Sequence, residues 1–408
     1  MYESYVMYLF ICIAQHPTPP PPQTLHPLMN HRKGEKHAPP IHSKNEVENA
    51  IVIVAKCPLP GTSKTRLAPL FASGSSPGPT QSCAMVARAL LSDVLCTLHG
   101  CAELVGVTKF VFYAPGTDEG RNLMEGLFRS LGIPHRHGDQ ACIGDHCCKI
   151  AGSRNDSHGH PWTLLPMAVS TCSSSAGVGN GSDDVESQRQ RLVNLRSSDL
   201  GDKLADIVVR TREQLGASSR GSSGAIAILG MDSPEIPLNE LSYALELASA
   251  SAVDIYEPNQ APKNKKMPMA YLSPSLDGGY GMLCLPPNAP PSVFGGIRWS
   301  HPLTALSQIK ALTDAQVGVE LGSLMRDIDE PDDLQCLADR LRQIRLTARH
   351  TTSEAANIPG DCEHVENNDV LTRVPPVIQI TEPNRPFDTN ATLCDWTWKA
   401  LLELGIVK

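Results

Sequence analysis

Positive charge is in deficit in this chain: 35 Lys and Arg stand against 43 Asp and Glu, for a formal net charge of -8. Proteins that bind DNA or RNA carry a basic footprint. This balance therefore argues against a nucleic-acid partner and leaves any phosphate chemistry to a small ligand held by a few local cations. Paired cysteine knuckles are missing as well. The 13 cysteines are an odd count with no CxxC pair and no regular spacing, which argues against a disulfide framework and for reduced thiols in a cytoplasmic setting. Aromatic residues make up only 5% of the chain, too few for the whole length to fold around one large core. Long apolar runs are absent too. Tyr5 to Ala14 falls short of the roughly 20 residues a bilayer span needs, and it lacks a positive n-region and a cleavage site. A cryptic targeting segment is the minor reading there, and no membrane span is expected.

Structure breakers are plentiful: 34 Pro and 31 Gly, concentrated in a few stretches. That distribution predicts one domain with extensions. Residues 1–48 read as a disordered leader and 49–346 as the folded domain. A Ser-, Gly- and Asn-rich surface insertion is expected at about 139–198. Residues 347–408 read as a mostly irregular extension, in which 393–404, with Trp396 and Trp398, has the spacing of a docking helix.

Within 49–346 the pattern alternates. Ala50 to Lys56 is a β-branched run typical of a strand buried on both faces, and Gln81 to Leu98 has helical spacing. Lys109 to Ala114 reads as a strand, Glu119 to Leu131 as a helix, Asp199 to Leu215 as a helix and Ala225 to Gly230 as a buried strand. A helix over Leu238 to Ala250 follows, with short strands at Val253 to Tyr256, Met269 to Leu272 and Gly281 to Leu285. Helices at Pro302 to Leu312 and Pro331 to Leu346 close the domain. This rhythm predicts an α/β protein with a mainly parallel central sheet covered by helices.

The first strand discharges into Cys57-Pro58-Leu59-Pro60-Gly61-Thr62-Ser63-Lys64-Thr65-Arg66. Pro58, Pro60 and Gly61 stop the strand, so Lys64 and Arg66 are carried at its carboxyl end, where open α/β sheets collect ligands. The segment is not a Walker A loop, because the position before the Lys is Ser63 where a P-loop needs Gly. Gly230-Met231-Asp232-Ser233-Pro234 puts a carboxylate just past a second buried strand, a natural position for Mg²⁺; capping of a following helix is the competing reading. Asp277-Gly278-Gly279-Tyr280 is a tight turn that allows close approach to a ligand, or a plain hairpin turn. Asp329, in Asp327-Ile328-Asp329-Glu330, is a candidate second metal ligand, whereas Asp332 and Asp333 suit the start of a helix. His135, His137, Cys142, His146, Cys147 and Cys148 are dense in metal-binding residue types but match no standard zinc spacing, and a solvated loop is the better reading.

Taken in order, Ala55-Lys56-Cys57-Pro58-Leu59-Pro60-Gly61 with Lys64-Thr65-Arg66-Leu67, Asp199-Leu200-Gly201, Gly230-Met231-Asp232-Ser233-Pro234, Leu276-Asp277-Gly278-Gly279-Tyr280, Ile297-Arg298-Trp299-Ser300 and Asp327 to Leu334 resemble a GT-A-fold, glycosyltransferase-like family. Its members are often labelled radical-SAM/selenodomain-associated transferases. The resemblance covers about Ala50 to Leu346 apart from the insertion. It places the chain near the nucleotide-diphospho-sugar transferase superfamily, with similarity to 2-phospho-L-lactate guanylyltransferase and molybdenum cofactor guanylyltransferase. What it implies is a three-layer αβα GT-A-like fold. By the same resemblance Lys56, Gly61, Lys64, Thr65 and Arg66 hold nucleotide phosphates, and Asp232 and Asp329 bind Mg²⁺ or Mn²⁺. Asp277, Gly278, Gly279, Tyr280, Trp299 and Ser300 face the acceptor, and Lys64, Arg66 and Asp232 carry catalysis.

The Gly-rich nucleotide loop of the guanylyltransferases has no counterpart here beyond Gly61, which leaves the base open. The expected activity is transfer of a nucleotidyl group from a nucleoside triphosphate to a small phosphorylated or hydroxylated acceptor. Glycosyl transfer from a nucleotide sugar is the enzymatic alternative, and a non-catalytic nucleotide-binding or scaffold protein is the alternative of another class. No protein partner is indicated.

Overall fold

The computed structural model describes residues 48–72, 77–138, 161–168, 198–218, 223–250, 267–355 and 394–407. The expected leader, the strand at Val253 to Tyr256, Cys142 to Cys148 and most of the insertion and of the C-terminal extension lie outside the described residues. The strands are β1 (Glu48–Lys56), β2 (Thr108–Ala114), β3 (His135–His137), β4 (Trp162–Pro166), β5 (Ser223–Gly230), β6 (Met269–Pro274), β7 (Tyr280–Leu285) and β8 (Gly318–Leu321). The α-helices are α1 (Pro79–Gly100), α2 (Asp118–Leu131), α3 (Leu200–Ser218), α4 (Leu238–Ala250), α5 (Thr304–Asp314), α6 (Pro331–Ala355) and α7 (Asp395–Glu403).

The strands form one sheet in the order β3-β4-β2-β1-β5-β7-β6-β8. Only β7 runs against the rest, paired antiparallel to both β5 and β6. The chain is therefore a mixed α/β protein with a mostly parallel sheet, and the carboxyl ends of β1, β5, β6 and β8 all open on the same edge.

Period-2 alternation sends side chains of each strand to opposite faces. Ile51, Ile53, Ala55, Val111, Ala227 and Leu229 join one buried cluster with Leu91 and Leu95 of α1, Phe128 of α2 and Leu241 and Leu245 of α4. On the other face Arg210 of α3 lies over the Phe112 ring, 5.0 Å from its centroid. Helices thus cover both faces. α1 is long and apolar enough by composition to cross a membrane, but 72% of its most apolar stretch is buried inside the protein, which makes it a core helix.

Four features depart from the sequence reading. His135 and His137, expected in a solvated loop, form β3 and pair with β4. The stretch expected to be a surface insertion contributes β4, which pairs with β2 and β3 inside the sheet. Its Trp162, which carries no signal in the sequence, is fully buried against Phe128, with ring centroids 5.9 Å apart. A strand of five residues is too short for periodicity to reveal inside a polar stretch. β8, of intermediate burial throughout, is likewise silent in the pattern. α6 runs on to Ala355 rather than stopping at Leu346.

A second cluster lies beneath the carboxyl edge. It combines Leu67 and Phe71 of the short 3₁₀ helix Thr65–Phe71 with Val86 and Leu90 of α1, Ile328 from the segment before α6, Leu334 and Leu341 of α6, and Leu401 of α7. The residues flanking the basic loop and the Asp327–Asp329 segment are thereby packed onto one apolar support.

Candidate functional site

Adjacent parallel strands bring distant loops together at the carboxyl edge. β1 and β5 are paired from Ala50 opposite Ile226 to Val54 opposite Gly230, so the loop after Lys56 and the loop after Gly230 emerge side by side. Lys56 N–H donates to Met231 Sδ at 3.1 Å, and Ile328 N–H donates to the Asp232 carbonyl at 3.0 Å. Within the first loop, Ser63 Oγ donates to the Cys57 carbonyl at 2.6 Å and Thr62 Oγ1 to the Leu59 carbonyl at 2.9 Å. The loop is folded onto itself, and it delivers Lys64 in the left-handed region, at φ 51° and ψ 35°. A non-glycine residue in that region is uncommon and is held there by its surroundings.

Lys64 turns inward. Its Nζ donates to Asp329 Oδ1 at 2.6 Å and to Asp232 Oδ2 at 3.0 Å, and only 7% of its side chain is exposed. Burial opposes the charge, but the two carboxylates outweigh it and hold the ammonium above the ordinary lysine value. Burial would likewise raise the Asp329 carboxyl, and Lys64 holds it below the usual range. The competing cap reading of Asp232 does not describe its side chain, which is spent on Lys64; the next helix, α4, starts only at Leu238.

Arg66 points the other way. It is largely exposed and meets Glu330 Oε1 at 3.2 Å, a surface pair of small energetic weight that leaves the guanidinium free to move. Lys56, Gly61 and Thr65 are exposed along the same rim.

The β6–β7 turn follows the carboxyl end of β6 at the same edge of the sheet. Asp277 Oδ1 accepts from Gly279 N–H at 2.8 Å and from the Ser275 hydroxyl, an Asx-type turn in which Gly278 takes φ 87°. A Cβ at Gly278 would overlap the Pro302 carbonyl oxygen. A bridge between Ser275 and Met325 ties this turn to the segment carrying Asp327 and Asp329. Tyr280 turns to α5 and away from the three acids: its hydroxyl donates to Gln308 Oε1 at 3.2 Å, and burial raises its phenol. Trp299 stands against the start of α3, where a Cβ on Gly201 would come 3.0 Å from its Nε1. The Asp199-Leu200-Gly201 and Trp299 motifs therefore meet each other. Asp199 Oδ1 accepts from Asp202 N–H at 2.9 Å, and Ser300 is exposed at φ 53°.

Sequence reasoning passed over Asp327. Its carboxyl is partly buried among Asp277, Asp232 and Asp329, and burial followed by those charges pushes it up to about 7. The signal was present in the alternation Asp327-Ile328-Asp329: with Ile328 buried in the apolar support, an extended chain carries both aspartates on the opposite face. Asp333 Oδ2 caps the approach to α6, accepting from Glu330 N–H at 2.8 Å. His137 is tied to Glu125 Oε1 at 2.6 Å in β3.

Two carboxylates that already converge on one cationic atom are hard oxygen donors of the type that Mg²⁺ or Mn²⁺ takes. Among the described residues no group of three or more His, Cys, Asp or Glu side chains is assembled as a cage. An ion held here would share its remaining positions with ligand phosphates and water, the common arrangement for Mg²⁺. The donor set fits such an ion.

A model of a family described as uncharacterized proteins conserved in bacteria (DUF2064) matches residues 172–301, a stretch that includes Asp232, Asp277 and Trp299 and ends before Asp329. No curated protein matches the chain. Among solved structures, one assigned as a nucleotide-diphospho-sugar transferase from Desulfovibrio desulfuricans G20 is 18% identical, with a TM-score of 0.43 over 72% of this chain and 87% of that one. A cytidylyltransferase from Leptospira borgpetersenii is 11% identical, with a TM-score of 0.32 over 72% of this chain and 87% of that one. A CMP:2-keto-3-deoxy-manno-octonic acid synthetase complexed with CTP is 11% identical, with a TM-score of 0.33 over 72% of this chain and 99% of that one.

Proposed function

We propose that this chain is a nucleotidyl or sugar-nucleotide transferase working with a divalent cation, and that the group it moves is a nucleotidyl group, passed from a nucleoside triphosphate to a small phosphorylated or hydroxylated acceptor. The observation that carries the reading is the convergence of Lys64, Asp232 and Asp329 at the carboxyl edge of a parallel sheet, with Lys64 Nζ 3.0 Å and 2.6 Å from the two carboxylates. A phosphate-binding lysine beside paired hard-oxygen ligands suits a polyphosphate that arrives with its cation.

Asp232 and Asp329 would hold Mg²⁺ or Mn²⁺, which supplies charge neutralisation at the phosphate oxygens when bound. Lys64 and Arg66 bind and orient the triphosphate, Lys64 from the buried floor and Arg66 from the exposed rim. The Asp277 turn, fixed by its own Asx-type hydrogen bonds, borders the opening through which an acceptor enters. An acceptor oxygen attacks the α-phosphorus, the bond from that phosphorus to the bridging oxygen breaks, and pyrophosphate leaves with the electron pair; a phosphate acceptor attacks as the anion, and a hydroxyl acceptor gives up its proton to solvent. Positioning and electrostatics suffice for this, with no covalent protein intermediate.

The test is a thermal-shift screen of the full chain against nucleoside triphosphates and nucleotide sugars with Mg²⁺ or Mn²⁺, followed by an assay of pyrophosphate release. A cation-dependent shift with a triphosphate and pyrophosphate release that Asp232→Asn abolishes support nucleotidyl transfer. Turnover of a nucleotide sugar without pyrophosphate replaces it with glycosyl transfer, and turnover unchanged in Asp232→Asn overturns the site.

A further inference from the structure

We propose that Lys64 is a resident counter-ion, its ammonium holding the place between Asp232 and Asp329 that a divalent cation takes over when nucleotide binds, so that cation entry and release of Lys64 to the phosphates are one exchange. The inference rests on the cation-dependent reading of this site and adds how that site is regulated.

Geometry makes the two occupants exclusive. Lys64 Nζ lies 2.6 Å from Asp329 Oδ1 and 3.0 Å from Asp232 Oδ2, so it fills the gap between the carboxylates. A divalent ion coordinated by the same two groups would have to sit within a few ångströms of that nitrogen, where two positive charges repel strongly in a partly buried setting. The ammonium must leave.

Its departure also needs a destination. A buried cation separated from its partners is costly, and the groups that surround this lysine are acidic. A triphosphate brings the negative charge that would receive it. Lys64 takes the left-handed region, φ 51°, with its Nζ held by the two acids, while Arg66, two residues on, faces solvent beside Glu330. The two basic residues thus start from different positions: Arg66 is available from the outset, and Lys64 is released only by exchange.

Weak cation binding without nucleotide follows, with cation and nucleotide each strengthening the other by the same factor, as linkage requires. The experiment is titration of Mn²⁺ into the full chain, followed by the paramagnetic resonance of free Mn²⁺, with and without a non-hydrolysable nucleoside triphosphate. Wild type, Lys64→Met, Lys64→Gln and Lys56→Met are compared, with circular dichroism to confirm folding. Lys56 is a charge control, because it lies close enough to help hold the Asp329 carboxyl low without filling the gap.

The expected result is that both Lys64 variants bind Mn²⁺ more tightly than wild type without nucleotide, by a factor in the ordinary coupling range of roughly 5 to 150. Lys56→Met should gain far less, and the tightening by nucleotide should shrink in the Lys64 variants. If the Lys64 variants bind Mn²⁺ no better than wild type, or no better than Lys56→Met, the exchange is overturned while nucleotide-dependent Mn²⁺ binding by wild type keeps the cation reading intact. If wild type binds no Mn²⁺ with any triphosphate, that reading fails and the exchange with it.

Discussion

The carboxylate of Asp93, in the middle of α1, accepts the backbone N–H of Thr397 at 2.8 Å across 304 residues of chain. It also takes the N–H of Trp396 at 3.0 Å. These are the second and third residues of α7, whose first-turn amides have no partner within the helix. Asp93 therefore acts as an N-cap supplied by another helix. Arg345 of α6 secures the same end, pairing with Asp395 Oδ1 at 2.5 Å and lying 4.8 Å from the centroid of the Trp398 ring. Asp93→Ala should destabilise α7 by about 1–3 kcal/mol, read as faster hydrogen exchange across 395–403 with little change in the strands. Burial raises the Asp93 carboxyl, so Asp93→Asn, which keeps an acceptor oxygen and has no charge to bury, should cost less than Asp93→Ala.

Asp327 sets a pH dependence of stability. Its folded pKa of about 7 lies above the ordinary 3.8. Between those values the unfolded chain releases a proton that the native state retains, and stability falls as pH rises through this window and stays lower above it. Asp327→Asn should leave the melting temperature unchanged near pH 4 and raise it near pH 8. After screening of a partly exposed carboxylate, the gain is about 1 kcal/mol, a few degrees. Equal shifts at both pH values would contradict the assignment.

Gly230 is a contact requirement of the site. A Cβ there would come 2.5 Å from Asp232 Oδ1, so Gly230→Ala must push that carboxylate aside. Cation-dependent nucleotide binding should weaken roughly tenfold or more, a loss of about 1.4 kcal/mol, while the thermal midpoint of the ligand-free protein moves little. A large fall in that midpoint with unchanged ligand affinity would show the glycine serving the strand rather than the carboxylate.

Gly278 should behave in the opposite way. Its φ of 87° and the Pro302 carbonyl oxygen in the path of a Cβ leave no relaxed conformation for alanine. Gly278→Ala should cost about 2 kcal/mol or more, visible as a lower midpoint in chemical denaturation before any ligand is added.

Trp162→Ala should be among the most damaging core substitutions. The ring is fully buried, edge-on to Phe128, in the strand that joins β3 to β2. The expected cost is about 3–5 kcal/mol; a loss under 1 kcal/mol would mean that β4 contributes little to the sheet.

Legibility followed element length. β1, β5, α1 and α4 carry enough apolar residues in period for local pattern to name them. β3 and β8 span three and four residues, and β4 is a short apolar island in polar surroundings, so neither length nor period marks them. They owe their existence to the neighbouring strand that pairs with them.

The site divides in the same manner. Lys64, Asp232 and Asp329 each follow from local chemistry: a basic residue after a broken strand, a carboxylate past a buried strand, an acid before a helix. That Lys64 turns to the two acids while Arg66 turns to Glu330, that Tyr280 is spent on Gln308, and that Trp299 meets Gly201 were decided only by tertiary structure. Periodicity and turn chemistry act over a few residues and fix which residues stand at the carboxyl edge. Orientation depends on charges 168 and 265 residues away from Lys64, which strand order, the Ser275–Met325 bridge and the Ile328-to-Asp232 backbone bond bring within hydrogen-bonding distance.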